Sequence, residues 1–281
     1  MVNIIKSNGD IQRYNPHKLK NSLMNAGADK NTAMKILGKV ERMIYNKMTT
    51  KELFKFAFKE FRQMHPYIGL KYDLRNAIMR LGPKGFAFEK LVSMILKKKG
   101  FDVEMNRYVK GKHVTHEIDI TAKKGERVLM VEAKYHNKPW IFSSIQTALY
   151  VYARFLDVQS EFTRPMIVVN TKFSRQSKQY AKGVGMYLMG WKYPEGDSLE
   201  QNIEKLGVYP ITMLRCINRE QTQMLLKSKV VLIETLANKT PKELVKLLRV
   251  SHKKAEKILH DSRICVGEIG VKKLLKGRKS K

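Results

Sequence analysis

Glu117-Ile118-Asp119-Ile120, a turn at Lys123-Lys124-Gly125, and Val128-Leu129-Met130-Val131-Glu132-Ala133-Lys134 decide how this chain reads. Residues 116–121 and 128–133 are β-rich runs of strand length with a glycine-bearing turn between them, which predicts a hairpin. Alternate residues of a strand share a face, so Glu117 points with Asp119, and Glu132 points with Lys134. If the register makes the two pairs converge, Asp119 and Glu132 offer the hard oxygen ligands that Mg²⁺ or Mn²⁺ takes. Lys134 would then stand where a charged phosphate is held. The alternative is a solvated Glu–Lys pair at a strand end, and the residues alone leave both open. The apolar run 128–131 is that of a strand covered on both faces, and acids bordering such a strand cost several kcal/mol unless a cation or partner compensates.

Working outward, helices are predicted at 86–98, 143–156 and 174–182 and a further strand at 166–169, an alternation that implies an α/β domain, whose sheet is expected to be mixed. A looser connection starts at 192–196. Short helices follow at 220–226, 232–237, 241–248 and 253–261, and 266–281 reads as a frayed basic tail. On the other side, Gly82-Pro83 stops a helical stripe at 70–81. Before it come a hairpin of 3–6 and 11–14 about Ser7-Asn8-Gly9-Asp10, an Asn15-Pro16 helix start, and stripes at 19–24, 33–44 and 53–61. Thr50 with Leu53 three residues on is not a full capping box. The expected organisation is 1–82, a β-hairpin with a helical bundle; 83–210, the α/β domain; 211–265, all helical; and 266–281, the tail.

The length of 281 residues allows about two domains and a small third. Lys and Arg number 55 against 25 Asp and Glu, a net charge of +30, while 43% of residues are apolar. Cores can form, so global disorder is excluded, and the charge surplus favours polyanions: nucleic acid first, an anionic membrane surface second. No apolar run nears the roughly 18 residues of a membrane span and no signal-peptide core opens the chain, so the expected location is cytoplasmic, without membrane. Cys216 and Cys265 are isolated, which supports neither a disulfide framework nor a zinc site and predicts buried thiols. His113, His116 and His136 read as solvated or phosphate-contacting, with proton transfer the alternative. Trp140, Trp191 and Tyr193 read either as core or interface aromatics or as platforms for bases.

Gly85-Phe86-Ala87-Phe88-Glu89-Lys90-Leu91, Gly100-Phe101-Asp102-Val103, Glu117-Ile118-Asp119 and Glu132-Ala133-Lys134 resemble the PD-(D/E)XK nuclease superfamily, nearest its Mrr-like restriction endonucleases and Holliday-junction resolvases. The resemblance implies a restriction-endonuclease-like fold, Glu89 as the helical acid, Asp119 and Glu132 as metal ligands and Lys134 as the catalytic lysine. Gln146 and Tyr150 resemble the QxxxY element of some branches. Lys6-Ser7-Asn8-Gly9, residues 12–19 and Tyr72-Asp73-Leu74-Arg75 resemble the ATP-cone, a nucleotide-sensing domain. That likeness implies Lys6, Arg13 and Lys18 on triphosphate oxygens, Asn15 on base or ribose, Thr50 capping or touching the nucleotide, and ATP or dATP as effector. Residues 230–258 resemble helix-hairpin-helix modules, with Arg249-Val250-Ser251 in place of the usual hairpin glycine.

The expected activity is therefore a Mg²⁺- or Mn²⁺-dependent DNA endonuclease regulated by ATP or dATP, working as a homodimer. The alternative is a nucleotide-responsive DNA-binding regulator with a non-catalytic nuclease fold; an RNA-directed nuclease shares the same metal chemistry.

Overall fold

The computed structural model describes residues 2–6, 9–25, 28–64, 74–82 and 85–277. The chain divides into two compact units, Met1–Leu74 with Gly267–Lys281, and Arg75–Val266.

In the first unit, β1 (Asn3–Ile5) and β2 (Ile11–Arg13) form the expected hairpin, whose described turn residue Gly9 takes φ +90°. Ser7 and Asn8 lie outside the described residues. Three helices follow: α1 (Pro16–Asn25), α2 (Lys30–Met43) and, after the short strand β3 (Met48–Thr49), α3 (Thr50–Met64). The sheet order is β2-β1-β3, with β3 parallel to β1. A two-residue strand is too short for any periodicity to announce. Asn15 starts α1 by accepting the His17 N–H at 2.9 Å. The capping box at α3 lies one residue upstream of the position considered above: Thr49 Oγ1 accepts from Glu52 N at 3.2 Å and Glu52 Oε2 from Thr49 N at 3.0 Å. Leu19, Leu23, Ile36, Val40, Phe58 and Phe61 form the core of this unit.

The second unit is entered along α4 (Leu74–Met79), the described part of the stripe expected at 70–81; residues 70–73 and Pro83 lie outside the described residues. Then come α5 (Phe86–Lys98), β4 (Asp102–Lys110), β5 (Thr115–Lys124), β6 (Arg127–Lys134), β7 (Phe142–Ser143), α6 (Ile145–Val158), β8 (Arg164–Val169), β9 (Lys172–Phe173), α7 (Arg175–Gly183) and β10 (Tyr187–Met189). The main sheet runs β10-β8-β6-β5-β4, parallel from β10 to β6 and antiparallel from β6 to β4. It is the expected mixed sheet. β6 lies at its centre with Leu129, Met130 and Val131 buried, as its unbroken apolar run requires. β4 escaped prediction because Asp, Glu, Asn, Arg and Lys dominate it, as an edge strand with one solvated side allows.

Past the connection at 192–196, α8 (Leu199–Leu206) is an unpredicted helix, closed at its start by a Ser198/Gln201 capping box and at its end by Gly207 at φ +67°. Then α9 (Arg219–Lys227), α10 (Ile233–Ala237), α11 (Pro241–Leu248) and α12 (His252–Gly277) form the helical end. Thr240 and Glu243 make a capping box around Pro241. At the end of α11, Arg249 takes the left-handed conformation, φ +53°, that a glycine adopts more readily. The frayed tail is corrected in part, since α12 continues through 266–277; residues 278–281 lie outside the described residues. The buried-thiol reading holds for Cys265, whereas Cys216 is only half-buried. Trp191 is core, Tyr193 packs on a core cluster, and Trp140 is exposed.

Candidate active site

Asp119 sits where both of its strand ladders open. On the β6 side, regular pairing ends at Ile120–Val131, and Ala133 N donates instead to Asp119 Oδ2 at 2.9 Å. On the β4 side, pairing passes from Met105–Ile120 to Arg107–Ile118, and Asn106 between them takes φ +54°. Asparagine tolerates that left-handed geometry better than other side-chain-bearing residues. The twist leaves Asn106 Nδ2 at 3.4 Å from Glu89 Oε2, on the first turn of α5. Behind Glu89, Gly85 has φ +33°, and a Cβ there would lie 2.9 Å from Glu89 Oε1.

Asp119 and Glu89 each feel the charge of Glu132. Burial, then the Glu132 charge, pushes the Asp119 carboxyl up to about 7, against the Ala133 hydrogen bond; Glu89 adds a smaller push. Burial also raises the Glu89 carboxyl, opposed by Asn106 and assisted by Glu117 and Glu132. Lys134 lies at the exposed end of β6 and makes no ion pair with the described residues. Gln146, in the first turn of α6, is exposed and makes no hydrogen bond with the described residues, so it stands apart from the bonded cluster.

Sequence reasoning missed Arg154. Its Nη1 donates to Glu132 Oε2 at 2.7 Å, its Nη2 donates to the Glu117 carbonyl, and its guanidinium lies 5.5 Å from the centre of the Tyr150 ring. A signal existed, because Gln146, Tyr150 and Arg154 recur every four residues along one stripe of α6. Asp157, one turn further, accepts from His113 N at 2.8 Å and Val114 N at 3.2 Å, and lies 2.8 Å from His116 Nε2. It ties the β4–β5 turn to α6. A cleft of about 420 Å³ opens here, lined by His113, His116, Tyr150, Arg154 and Asp157 among others. His136 is half-buried, its imidazole pKa lowered by burial and by Lys134, with its backbone N–H held by Asn170.

The acids suit a divalent cation. Asp119 and Glu132 are acceptor-only oxygen donors when ionised, and burial, then the Glu132 charge, drives Asp119 toward its neutral form, a push that a bound cation would oppose. Among the described residues no three His, Cys, Asp or Glu side chains already stand in ligand geometry, so water would complete the shell of an ion held by two carboxylates.

The residues expected to contact a nucleotide divide in the first unit. Lys6 and Thr50 directly follow the adjacent parallel strands β1 and β3, whose register pairs Ile5 with Thr49. Arg13 pairs with Asn3 at the opposite end of β1, roughly 10 Å away at 3.3 Å per residue. Lys18 lies in the first turn of α1, and the Asn15 side chain is engaged in capping that helix. Tyr72 and Asp73 lie outside the described residues.

Residues 82–191 match the restriction endonuclease family model Mrr_cat, which makes the central domain restriction-endonuclease-like. Residues 209–264 match the model described as AF1548-like, C-terminal. An uncharacterized protein of Archaeoglobus fulgidus is 37% identical over 177 residues, which span 63% of this chain and all of that one. The crystal structure of the protein of unknown function AF1548 is 35% identical and superposes with a TM-score of 0.58, covering 66% of this chain and all of that one. The chain belongs to the AF1548-like family, and over a third of it lies outside the matched length. No helix among the described residues is long and apolar enough to cross a membrane.

Proposed function

We propose that the protein is a divalent-metal-dependent endonuclease that hydrolyses phosphodiester bonds of DNA. What supports the reading is the coupling of Asp119 to Glu132 and Glu89 at a break in two strand ladders, with the exposed Lys134 two residues beyond Glu132 on the same strand. Asp119 and Glu132 would hold Mg²⁺ or Mn²⁺, which supplies an activated water and neutralises charge on the phosphate. Lys134 would meet a phosphate oxygen, being the nearby cation whose charge no carboxylate of the described residues takes up. Glu89, its carboxyl raised by burial, would take up a proton more readily than a solvated glutamate. Arg154 holds Glu132 in place and keeps the strand end from carrying an uncompensated charge. The net charge of +30 favours a polyanion and is indifferent to its sugar, so DNA is chosen here on the restriction-endonuclease family alone. ATP or dATP would bind the first unit near Lys6 and Thr50 and act as effector.

The test is a cleavage panel of plasmid, linear, single-stranded and branched DNA and of RNA, with and without Mg²⁺ or Mn²⁺. Cutting of DNA that requires the metal supports the proposal. Cutting of RNA alone would move the substrate to RNA, and tight DNA binding without cutting would favour a regulator with a silent nuclease fold.

A further inference from the structure

The segment between β6 and α6 begins at Lys134 and ends in three consecutive apolar side chains that face solvent: Trp140 (69% exposed), Ile141 (36%) and Phe142 (53%). Burying such groups is strongly favourable, so a loop that displays them needs a reason. The loop is held at both ends. Asn170, itself fully buried, bonds both His136 N and His136 O at 2.8 Å; Arg75 donates to Pro139 O at 3.0 Å. Phe142 and Ser143 pair with Lys172 and Phe173, and the Ser143 carbonyl accepts from Ser174 N and Ser177 Oγ, both at 3.0 Å. The backbone that carries the aromatics is therefore held before any partner arrives.

Each ring also carries a cation. Lys138 Nζ lies 5.9 Å from the Trp140 ring centre and Lys172 Nζ lies 5.7 Å from that of Phe142. Each ring thus comes with an ammonium, as each base of a nucleic-acid strand comes with a phosphate. The platform stands past the carboxyl ends of the parallel neighbours β6 and β8, where Lys134 pairs with Val169. In an intact duplex the base faces are already stacked on one another, so this surface has nothing to grip there.

We propose that Trp140 and Phe142 form a stacking platform for unpaired nucleotides, which makes the substrate of the neighbouring carboxylate site DNA with a single-stranded segment, branch or flipped base. The substrate assignment rests on the nuclease reading; the stacking itself does not.

The experiment uses the full chain in EDTA, so that no cleavage occurs, and compares binding of a labelled single strand and a blunt duplex by fluorescence anisotropy. Trp140→Ala and Phe142→Ala should each weaken single-strand binding by about fivefold to a hundredfold and change duplex binding less than about twofold. Trp140→Phe should restore most of the loss. Trp191 is buried, so quenching of tryptophan emission by the single strand should disappear in Trp140→Ala. Unchanged single-strand binding, or equal losses on strand and duplex, would overturn the proposal. So would a shift from dimer to monomer in sedimentation of the variants, which would place a second copy on this surface. Failure of the nuclease reading looks different: stacking intact in EDTA, with no cutting when metal is restored.

Discussion

Arg154 on α6 clasps Glu132 on β6 at 2.7 Å, with both side chains more than four-fifths buried. Removing one partner of such a pair leaves a stranded charge, at a cost of about 3 kcal/mol. Arg154→Ala should therefore lower stability by roughly that amount in urea denaturation without metal. Saturating Mg²⁺ should recover part of the loss, because a second cation can compensate Glu132. Arg154→Lys should fall between the two, since an ammonium lacks the fork that reaches Glu132 and the Glu117 carbonyl together.

Asp119 gives a pH dependence of known sign. Its carboxyl is pushed up to about 7 in the fold, from an ordinary value near 3.8. The neutral acid is the form the fold prefers, so its contribution is complete below about pH 4 and is lost as pH rises through 7. Asp119→Asn keeps the acceptor for Ala133 N and removes the charge. In the absence of metal it should raise stability by a few kcal/mol at pH 8 and change it little at pH 4, as followed by thermal melts across pH. Wild type should gain thermal stability from Mg²⁺ at pH 8 and the variant should not.

Gly111 leaves no room for a side chain. A Cβ there would lie 2.1 Å from Asp157 Oδ2 and 2.7 Å from the Val114 carbonyl, and backbone cannot yield as a side-chain tip can. Gly111→Ala should cost about 1–3 kcal/mol in denaturation and detach the β4–β5 turn from α6. Faster amide exchange at His113 and Val114, which donate to Asp157, would report the detachment.

The first unit separates two roles that a binding assay alone would confuse. If ATP or dATP binds near Lys6, Lys6→Ala should weaken binding about tenfold in calorimetry, as loss of a charge-assisted contact does, with little change in melting. Asn15→Ala should lower the melting temperature, by the roughly 1 kcal/mol of a lost helix cap, with or without nucleotide. No heat with either nucleotide would remove the effector from the account.

What the sequence made legible follows the physics of each signal. The centre of the sheet was readable because β6 combines an unbroken apolar run with acids at its end, and period-two alternation placed Asp119 and Glu132 as candidates to meet. Register was not readable, since the turn expected at 123–125 is closed instead by Gly125-Glu126 between the paired Lys124 and Arg127, and that shift decides which residues of β5 and β6 oppose one another. Arg154 was hidden for another reason: the stripe it shares with Gln146 and Tyr150 was followed for one turn and not for two. β4 and α8 carry too many polar residues for apolar periodicity to mark them, and Asp157 acts through backbone N–H groups that no composition reveals.

The most direct test of the carboxylate–lysine site is single-turnover cleavage of DNA in Mg²⁺ by wild type, Asp119→Asn and Lys134→Ala, with DNA binding measured in EDTA alongside. Cleavage should fall at least about a hundredfold in both variants, the scale on which losing a charge-stabilising group slows catalysis, while affinity changes by less than about twofold. Wild-type cutting rates in Lys134→Ala, or cleavage that survives in Asp119→Asn, would contradict the assignment.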